Sequence, residues 1–235
     1  MQNYAMDAIR NVVVMGHGKC GKTSLTEAML YNSGCIDRMG TVADGSTTTD
    51  YDADEIRRGC SISMSIAPVE WKGMKYNILD TPGFFDFAGE VKEGLRAADS
   101  ALIALSGRSG VSVGTEQVFK YAKQKNVPIM FFVNKIDDHR ANYQQTLEQM
   151  KQVFGKAVTP FVYPIREGDE FKGFVDIVDM TARRYEGTER VDIPVPEGMD
   201  EIVAPLREMI MEAIAETDDA LMNKYFNGEE FTFDE

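Results

Sequence analysis

Short apolar runs alternate with helix-length amphipathic stretches along the first part of the chain. NVVVM (11–15), YNILD (76–80), SALIALS (100–106) and VPIMFFVN (127–134) are nearly continuous apolar runs. That is the pattern of strands buried on both faces, as in a parallel sheet covered by helices. Between them the apolar spacing predicts helices over 22–32, 87–98, 115–125 and 140–154, the first closed by Gly34. GCSISMSIAPVEW (59–71) alternates, and Ile62, Met64 and Ile66 are expected on its inner face. The order β-α-β-β-α-β-α-β-α predicts an α/β fold with a doubly wound, mostly parallel sheet. Residues 36–60 are long, polar and unpatterned, which inside a compact domain points to a functional loop.

Past residue 160 the pattern changes. FVYPI (161–165) and GFVDIVDM (173–180) read as strands, and RVDIPVPEGM (190–199) as a proline-rich connection. Ile202, Val203, Leu206, Met209, Ile210, Ala213 and Ile214 share one helical face. Pro205 is tolerated only in a first turn, which sets the expected start near residue 203. Thr217 is the expected cap of a second short helix that Gly228 ends. We therefore expect a core over 1–158 and a small α+β subdomain over 159–235.

Charge sharpens that division. Residues 1–149 hold 16 Lys and Arg against 18 Asp and Glu, whereas residues 150–235 hold 9 against 20. So acidic a C-terminal part is unsuited to gripping nucleic-acid phosphates, and direct sequence-specific nucleic-acid binding is not expected. No apolar run approaches the roughly 18 residues of a membrane helix, and no signal peptide is visible. Cys20, Cys35 and Cys60 have no metal-type spacing and are expected as free thiols in a cytoplasmic protein.

Three short motifs carry the chemistry. GHGKCGKT (16–23) fits the phosphate-loop pattern and lies between a predicted strand and a predicted helix. Gly16, His17, Gly18, Lys19, Cys20 and Gly21 would form the turn, with Ser24 opening the helix after it. Backbone N–H groups of such a turn point at phosphate oxygens. Lys22 would pair with β- and γ-phosphate oxygens, and the Thr23 hydroxyl would ligate Mg²⁺. DTPG (80–83) ends the strand YNILD; Asp80 can reach Mg²⁺ and the Gly83 N–H the γ-phosphate. NKID (134–137) ends the strand VPIMFFVN. The Asp137 carboxylate can accept both N–H groups of the guanine edge, which adenine lacks. Asn134 can tie this loop to the phosphate loop, and the Lys135 stem can lie on the base. The motifs come in the order phosphate, Mg²⁺, base, at the carboxyl ends of predicted strands, where open α/β sheets bind ligands. The reading is a guanine-nucleotide-binding P-loop NTPase that uses GTP, GDP and Mg²⁺.

On these motifs the sequence resembles the translational GTPases, and most of all the N-terminal part of elongation factor G. GHGKCGKTSLTEAMLYNSG, RRGCSIS, DTPGFFDFAGEV with LRAAD after it, VNKIDDHRANY and FKGFVDIVDM carry the likeness. The last is similar to the start of the insert that elongation factor G carries within its GTPase domain. Four further domains of that family, and a Ser-Ala turn that completes the base site, have no counterpart in this sequence. The resemblance implies a monomeric GTPase acting on the ribosome in translocation, with the acidic insert facing the ribosomal stalk protein. Ser61 stands where the family has a Mg²⁺-ligating threonine and keeps the hydroxyl. Lys19 stands where the family has an aspartate. Phe84 stands where the family has the histidine that orients the attacking water. Lys22 and Gly83 then remain as the catalytic positions. A phenylalanine cannot hydrogen-bond, so the alternative is a slowly hydrolysing, GTP-dependent binding switch with a ribosome-protection or recycling role.

Overall fold

The computed structural model describes residues 3–155, 158–186, 189–232 and 235. The chain forms two compact units, residues 1–135 and 136–235. Helix 143–154, read above with the core, groups with the second unit. Residues 156 and 157, next to the expected boundary at 158/159, lie outside the described residues.

The first unit is a five-stranded sheet. Its strands are β1 (Ile9–Gly16), β2 (Ser65–Trp71), β3 (Met74–Asp80), β4 (Ser100–Ser106) and β5 (Ile129–Asn134), in the spatial order β2-β3-β1-β4-β5. β1, β3, β4 and β5 are parallel, and β2 runs antiparallel to β3. Its helices are α1 (Lys22–Asn32), α2 (Ala53–Arg58), α3 (Ala88–Ala97) and α4 (Val113–Gln124). Alternate β1 residues face opposite sides, as a strand's period of two requires. Val13 and Met15 pack with Leu79, Val91, Leu95, Ile103 and Val118, under α3 and α4. Val14 packs with Leu30, Ile78 and Leu102, under α1. Both faces are covered, so the strands read as unbroken apolar runs.

Three local expectations are corrected in this unit. The polar stretch 36–60 contains helix α2, which starts with a complete capping box: Asp52 accepts from the Asp54 N–H, and Glu55 accepts from the Asp52 N–H. Gly59, at φ 62°, ends it. The strand at 59–71 begins only at Ser65, and its inward residues are Ala67 and Val69, while Ile66 is 61% exposed. The inward phase is one residue off the expected one, because Ile62 and Met64 precede the strand.

The second unit holds α5 (Tyr143–Phe154) and an antiparallel sheet of β6 (Val162–Glu167), β7 (Glu170–Asp176), β8 (Thr181–Glu186) and β9 (Glu189–Ile193). Helices α6 (Asp200–Ala215) and α7 (Asp219–Phe226) follow. Ile165, Val175, Ala182 and Val203 form its apolar centre. The run 173–180 turns after Asp176, and part of the proline-rich connection is the strand β9. Helix α6 begins at Asp200, so Pro205 lies inside it; burial of Val203, Leu206 and Ile210 sustains the helix across the missing N–H. The cap of α7 is Asp218, whose carboxylate accepts from the Ala220 N–H at 2.7 Å, while the Thr217 hydroxyl bonds back to the Ile214 carbonyl. No helix among the described residues is long and apolar enough to cross a membrane.

Candidate functional site

The loop 16–21 leaves the end of β1 and delivers Lys22 and Thr23 to the first turn of α1. Its geometry depends on glycine. Gly21 has φ 97°, and a Cβ there would meet Asn134 Nδ2 at 2.2 Å. That close approach lets the Asn134 amide donate to the Cys20 carbonyl at 3.1 Å. Lys135, from the same β5 loop, donates to the Lys19 carbonyl at 2.8 Å. Asn134 and Lys135 therefore fasten the end of β5 to the loop. Lys19 is exposed at φ 65°, and Ser24 is exposed on α1. Lys22 is buried, and its ammonium donates to the carbonyls of Gly16 and His17, both at 3.2 Å. Gly83 closes against it: a Cβ at Gly83 would sit 2.4 Å from Lys22 Nζ and 2.7 Å from the Gly18 backbone.

Beside Lys22 is a buried group of oxygens. Thr23 Oγ1 and Ser61 Oγ are 3.2 Å apart. The Thr49 hydroxyl donates to Asp80 Oδ2 at 2.9 Å. Asp80 is 1% exposed and Asp50 4%, and each has one carboxylate oxygen with no hydrogen-bond partner. Burial pushes the Asp80 carboxyl up to about 6, against the Thr49 hydroxyl, the Lys22 ammonium and the Thr23 hydroxyl, which favour the anion. Burial raises Asp50 as well, with the Glu55 carboxylate adding to it and the Ser61 hydroxyl and Lys22 opposing. Two buried carboxylates with unpartnered oxygens, next to two hydroxyls, form a hard-oxygen set that suits Mg²⁺. Among the described residues no group of three or more His, Cys, Asp and Glu side chains is placed to hold a metal ion.

Sequence reasoning missed how residues 40–63 are held there. Glu27 of α1 is 1% exposed and accepts from the Gly40 and Thr48 N–H groups, each at 2.9 Å. Glu55 accepts from the Ile62 and Ser63 N–H groups, and Glu90 of α3 from the Met64 N–H at 2.7 Å. These carboxylates anchor the polar stretch at both ends and bring Thr49, Asp50 and Ser61 to Asp80. Only the Asp52-to-Glu55 capping spacing was readable locally; the other pairings span 7 to 31 residues.

The structure thus brings together Gly16, Gly18, Lys22, Thr23, Ser61, Asp80, Gly83, Asn134 and Lys135. Asp137 belongs to the second unit and is exposed there. Phe84 does not enter the oxygen cluster. Its ring rests on the loop, where a Cβ at Gly18 would meet it at 3.0 Å. His17 packs beside Gly114 and lies 6.3 Å from the Phe85 ring, with Nδ1 buried and unpartnered.

The elongation factor Tu GTP binding domain family matches residues 7–227. This chain belongs to that family. A crystal structure of a protein from Thermus thermophilus superposes on it with a TM-score of 0.91 and 39% identity, covering 97% of this chain. The chain spans 34% of the length of that protein. Membership of the elongation factor Tu GTP binding domain family makes it a translation-factor GTPase domain, with GTP and GDP as the family's ligands. The parallel sheet with its loop after β1 is the G-domain fold, to which the antiparallel β6–β9 sheet is added.

Proposed function

We propose that this chain is the GTP-binding and GTP-hydrolysing part of an elongation-factor-G-like translation factor that serves translocation on the ribosome. The observation that carries the proposal is the oxygen cluster of Thr23, Ser61, Asp80 and Asp50 beside Lys22. It joins the phosphate loop, the polar stretch 40–63 and the DTPG turn. In this reading the loop 16–21 and Lys22 hold the phosphates, Ser24 adds to the loop's polar end, and Gly83 offers its N–H to the γ-phosphate. Thr23 and Ser61 would ligate Mg²⁺, with Asp80 supporting it. The ion would neutralise charge on the β- and γ-phosphates. Residues 36–61 and 80–90 would be ordered around Mg²⁺ and GTP and released after hydrolysis. The core and insert are taken as 1–158 and 159–235.

Asp137 is proposed to read guanine, with Asn134 and Lys135 holding its loop. Asp137→Asn should shift preference toward xanthine nucleotides, because the amide can donate to a 2-oxo group. Competition binding with GDP and XDP checks this. An undiminished preference for GDP in the variant would remove Asp137 from the role.

The second reading is a GTP-dependent binding switch with slow turnover, in a ribosome-protection or recycling factor. It is favoured by Phe84, whose ring covers Gly18 with no group able to handle a proton.

The acidic insert is proposed to meet the ribosomal stalk protein, in a chain that acts as a monomer in the cytoplasm. Glu208, Glu212 and Glu216 lie on α6 or at its end, and Glu208 bonds the Tyr225 hydroxyl of α7. Electrostatic steering by this helix should fade with salt, since the Debye length is about 8 Å at physiological ionic strength. Glu212→Lys with Glu216→Lys should slow association with the stalk in stopped-flow mixing and leave GDP affinity alone. A rate unchanged by the reversal and flat across salt would contradict the docking role.

A further inference from the structure

One side chain of the antiparallel sheet reaches the base-reading loop. Arg166, on β6, donates from Nη1 to the Ile136 carbonyl at 2.6 Å and to the Asp138 carbonyl at 3.3 Å, across 30 and 28 residues of sequence. These are main-chain acceptors on either side of Asp137. Its Nη2 donates to the Asp169 carbonyl at 2.6 Å, in the turn between β6 and β7. All these residues lie in the second unit. A planar guanidinium carries five N–H donors in a fixed fork, so one side chain can hold three carbonyls from two segments.

An arginine that served only its own hairpin would need only Asp169, yet two of these three bonds leave the hairpin. Charge pairing does not account for it either. Residues 136–235 hold 10 Lys and Arg against 23 Asp and Glu, so carboxylates abound. Among the described residues, however, no ion pair includes Arg166. The sheet is also adapted at this point. Ile165 stands opposite Gly173 and Arg166 opposite Phe171, which leaves Lys172 as an extra residue in β7. Such a bulge bends the strand and re-aims side chains. The loop's own residues brace its other end. The Asp138 carboxylate accepts from the Arg140 N–H, and the Asp138 carbonyl from the Ala141 N–H, each at 2.9 Å. Asp137 is exposed between these fixed points.

We propose that Arg166 is the positioning residue for guanine recognition. By holding the carbonyls of Ile136 and Asp138, it fixes the main chain on both sides of Asp137, so that both carboxylate oxygens meet the two N–H groups of the guanine edge together. This role rests on the reading of Asp137 proposed above and adds a residue that acts through it. A two-point contact tolerates misplacement of only about 0.5 Å. A loop free to shift would keep one bond and lose the other. The β6–β7 hairpin thereby takes part in choosing the nucleotide, although it lies outside the three motifs.

Competition binding of GDP against IDP, which lacks the 2-amino group, tests this on the full chain. The wild type should prefer GDP. Arg166→Met keeps the apolar stem, removes the donors and should narrow that preference by about fivefold or more, the worth of one hydrogen bond. Arg166→Lys, with a single ammonium, should fall between. In the Asp137→Asn background, Arg166→Met should leave the GDP-to-IDP ratio where Asp137→Asn alone puts it, because the carboxylate through which Arg166 acts is gone. Circular-dichroism melting of each variant separates a lost contact from a lost fold. An Arg166→Met chain that melts like the wild type and keeps its GDP preference overturns the proposal. So does one that weakens GDP and IDP alike, or a further change of the ratio in the Asn background. Where Arg166→Met fails to fold, Arg166→Lys carries the same outcomes. A wild type indifferent between GDP and IDP overturns the Asp137 reading and this role with it. A preference lost in Asp137→Asn but intact in Arg166→Met removes Arg166 alone.

Discussion

Asp80→Asn is expected to stabilise the metal-free chain and to weaken its magnesium-dependent hold on GTP. The two effects have one cause. Asp80 is 1% exposed, and burial lifts its carboxyl from 3.8 to about 6. Between those values the folded state keeps a proton that the unfolded state has lost. Stability therefore falls as pH rises from about 4 to about 6 and stays lowered above that range. At about 1.4 kcal/mol per pH unit, the full penalty is roughly 3 kcal/mol. Asparagine keeps an acceptor for the Thr49 hydroxyl and carries no charge, so a gain of about 1–3 kcal/mol at neutral pH is expected. Urea unfolding in EDTA from pH 4 to pH 8 would show it: the two proteins should converge near pH 4, separate between about pH 4 and 6, and stay apart above that range. With Mg²⁺ present, the variant should lose about 10–100-fold in the metal dependence of GTP affinity. A variant no more stable than the wild type at pH 8 would mean that Asp80 is not the electrostatic liability its burial implies.

Phe84→His is expected to raise ribosome-stimulated GTP hydrolysis by about 10²–10⁴-fold, the usual contribution of a positioned proton-handling side chain. Phe84 follows the Gly83 that closes on Lys22, and its backbone is extended, at φ −95° and ψ 145°. An imidazole there would bring a group that titrates near neutrality to a position whose present ring cannot hydrogen-bond. The gain should appear in kcat and should fall away below the imidazole pKa. Phe84→Gln provides the contrast, since it restores polarity without titration and should lack that pH dependence. Rapid turnover by the wild type, not exceeded by the histidine variant, would assign water orientation to the backbone or to another residue.

The parts legible in the sequence were those whose cause is local. GHGKCGKT requires a strand before it and a helix after it, and both stand where the apolar runs put them, at Ile9–Gly16 and Lys22–Asn32. The parallel sheet was visible because strands buried on both faces leave no polar alternation. Helix α2 was hidden in a polar stretch because it is short and exposed, although Asp52, Glu55 and Gly59 spell out its start and stop. The phase of β2 was lost because Ile66 is apolar yet exposed, while the inward positions belong to the smaller Ala67 and Val69. β8 and β9 escaped because the charged Arg183, Arg184 and Arg190 leave too little apolar alternation to mark a strand. Within the site, Lys22, Thr23, Asp80 and Gly83 were named from motifs, whereas Thr49, Asp50 and Glu27 were not. Their roles come from hydrogen bonds that cross the sequence, such as Thr49 to Asp80, and no spacing rule reports those.

Calorimetric titration of the chain with GTP, and separately with ATP, in Mg²⁺ and then in EDTA tests the central claim most directly. The oxygen cluster and the NKID loop together predict that GTP binds, that its affinity drops when Mg²⁺ is removed, and that ATP binds in neither condition. ATP binding comparable to that of GTP, or GTP affinity indifferent to Mg²⁺, would contradict the account.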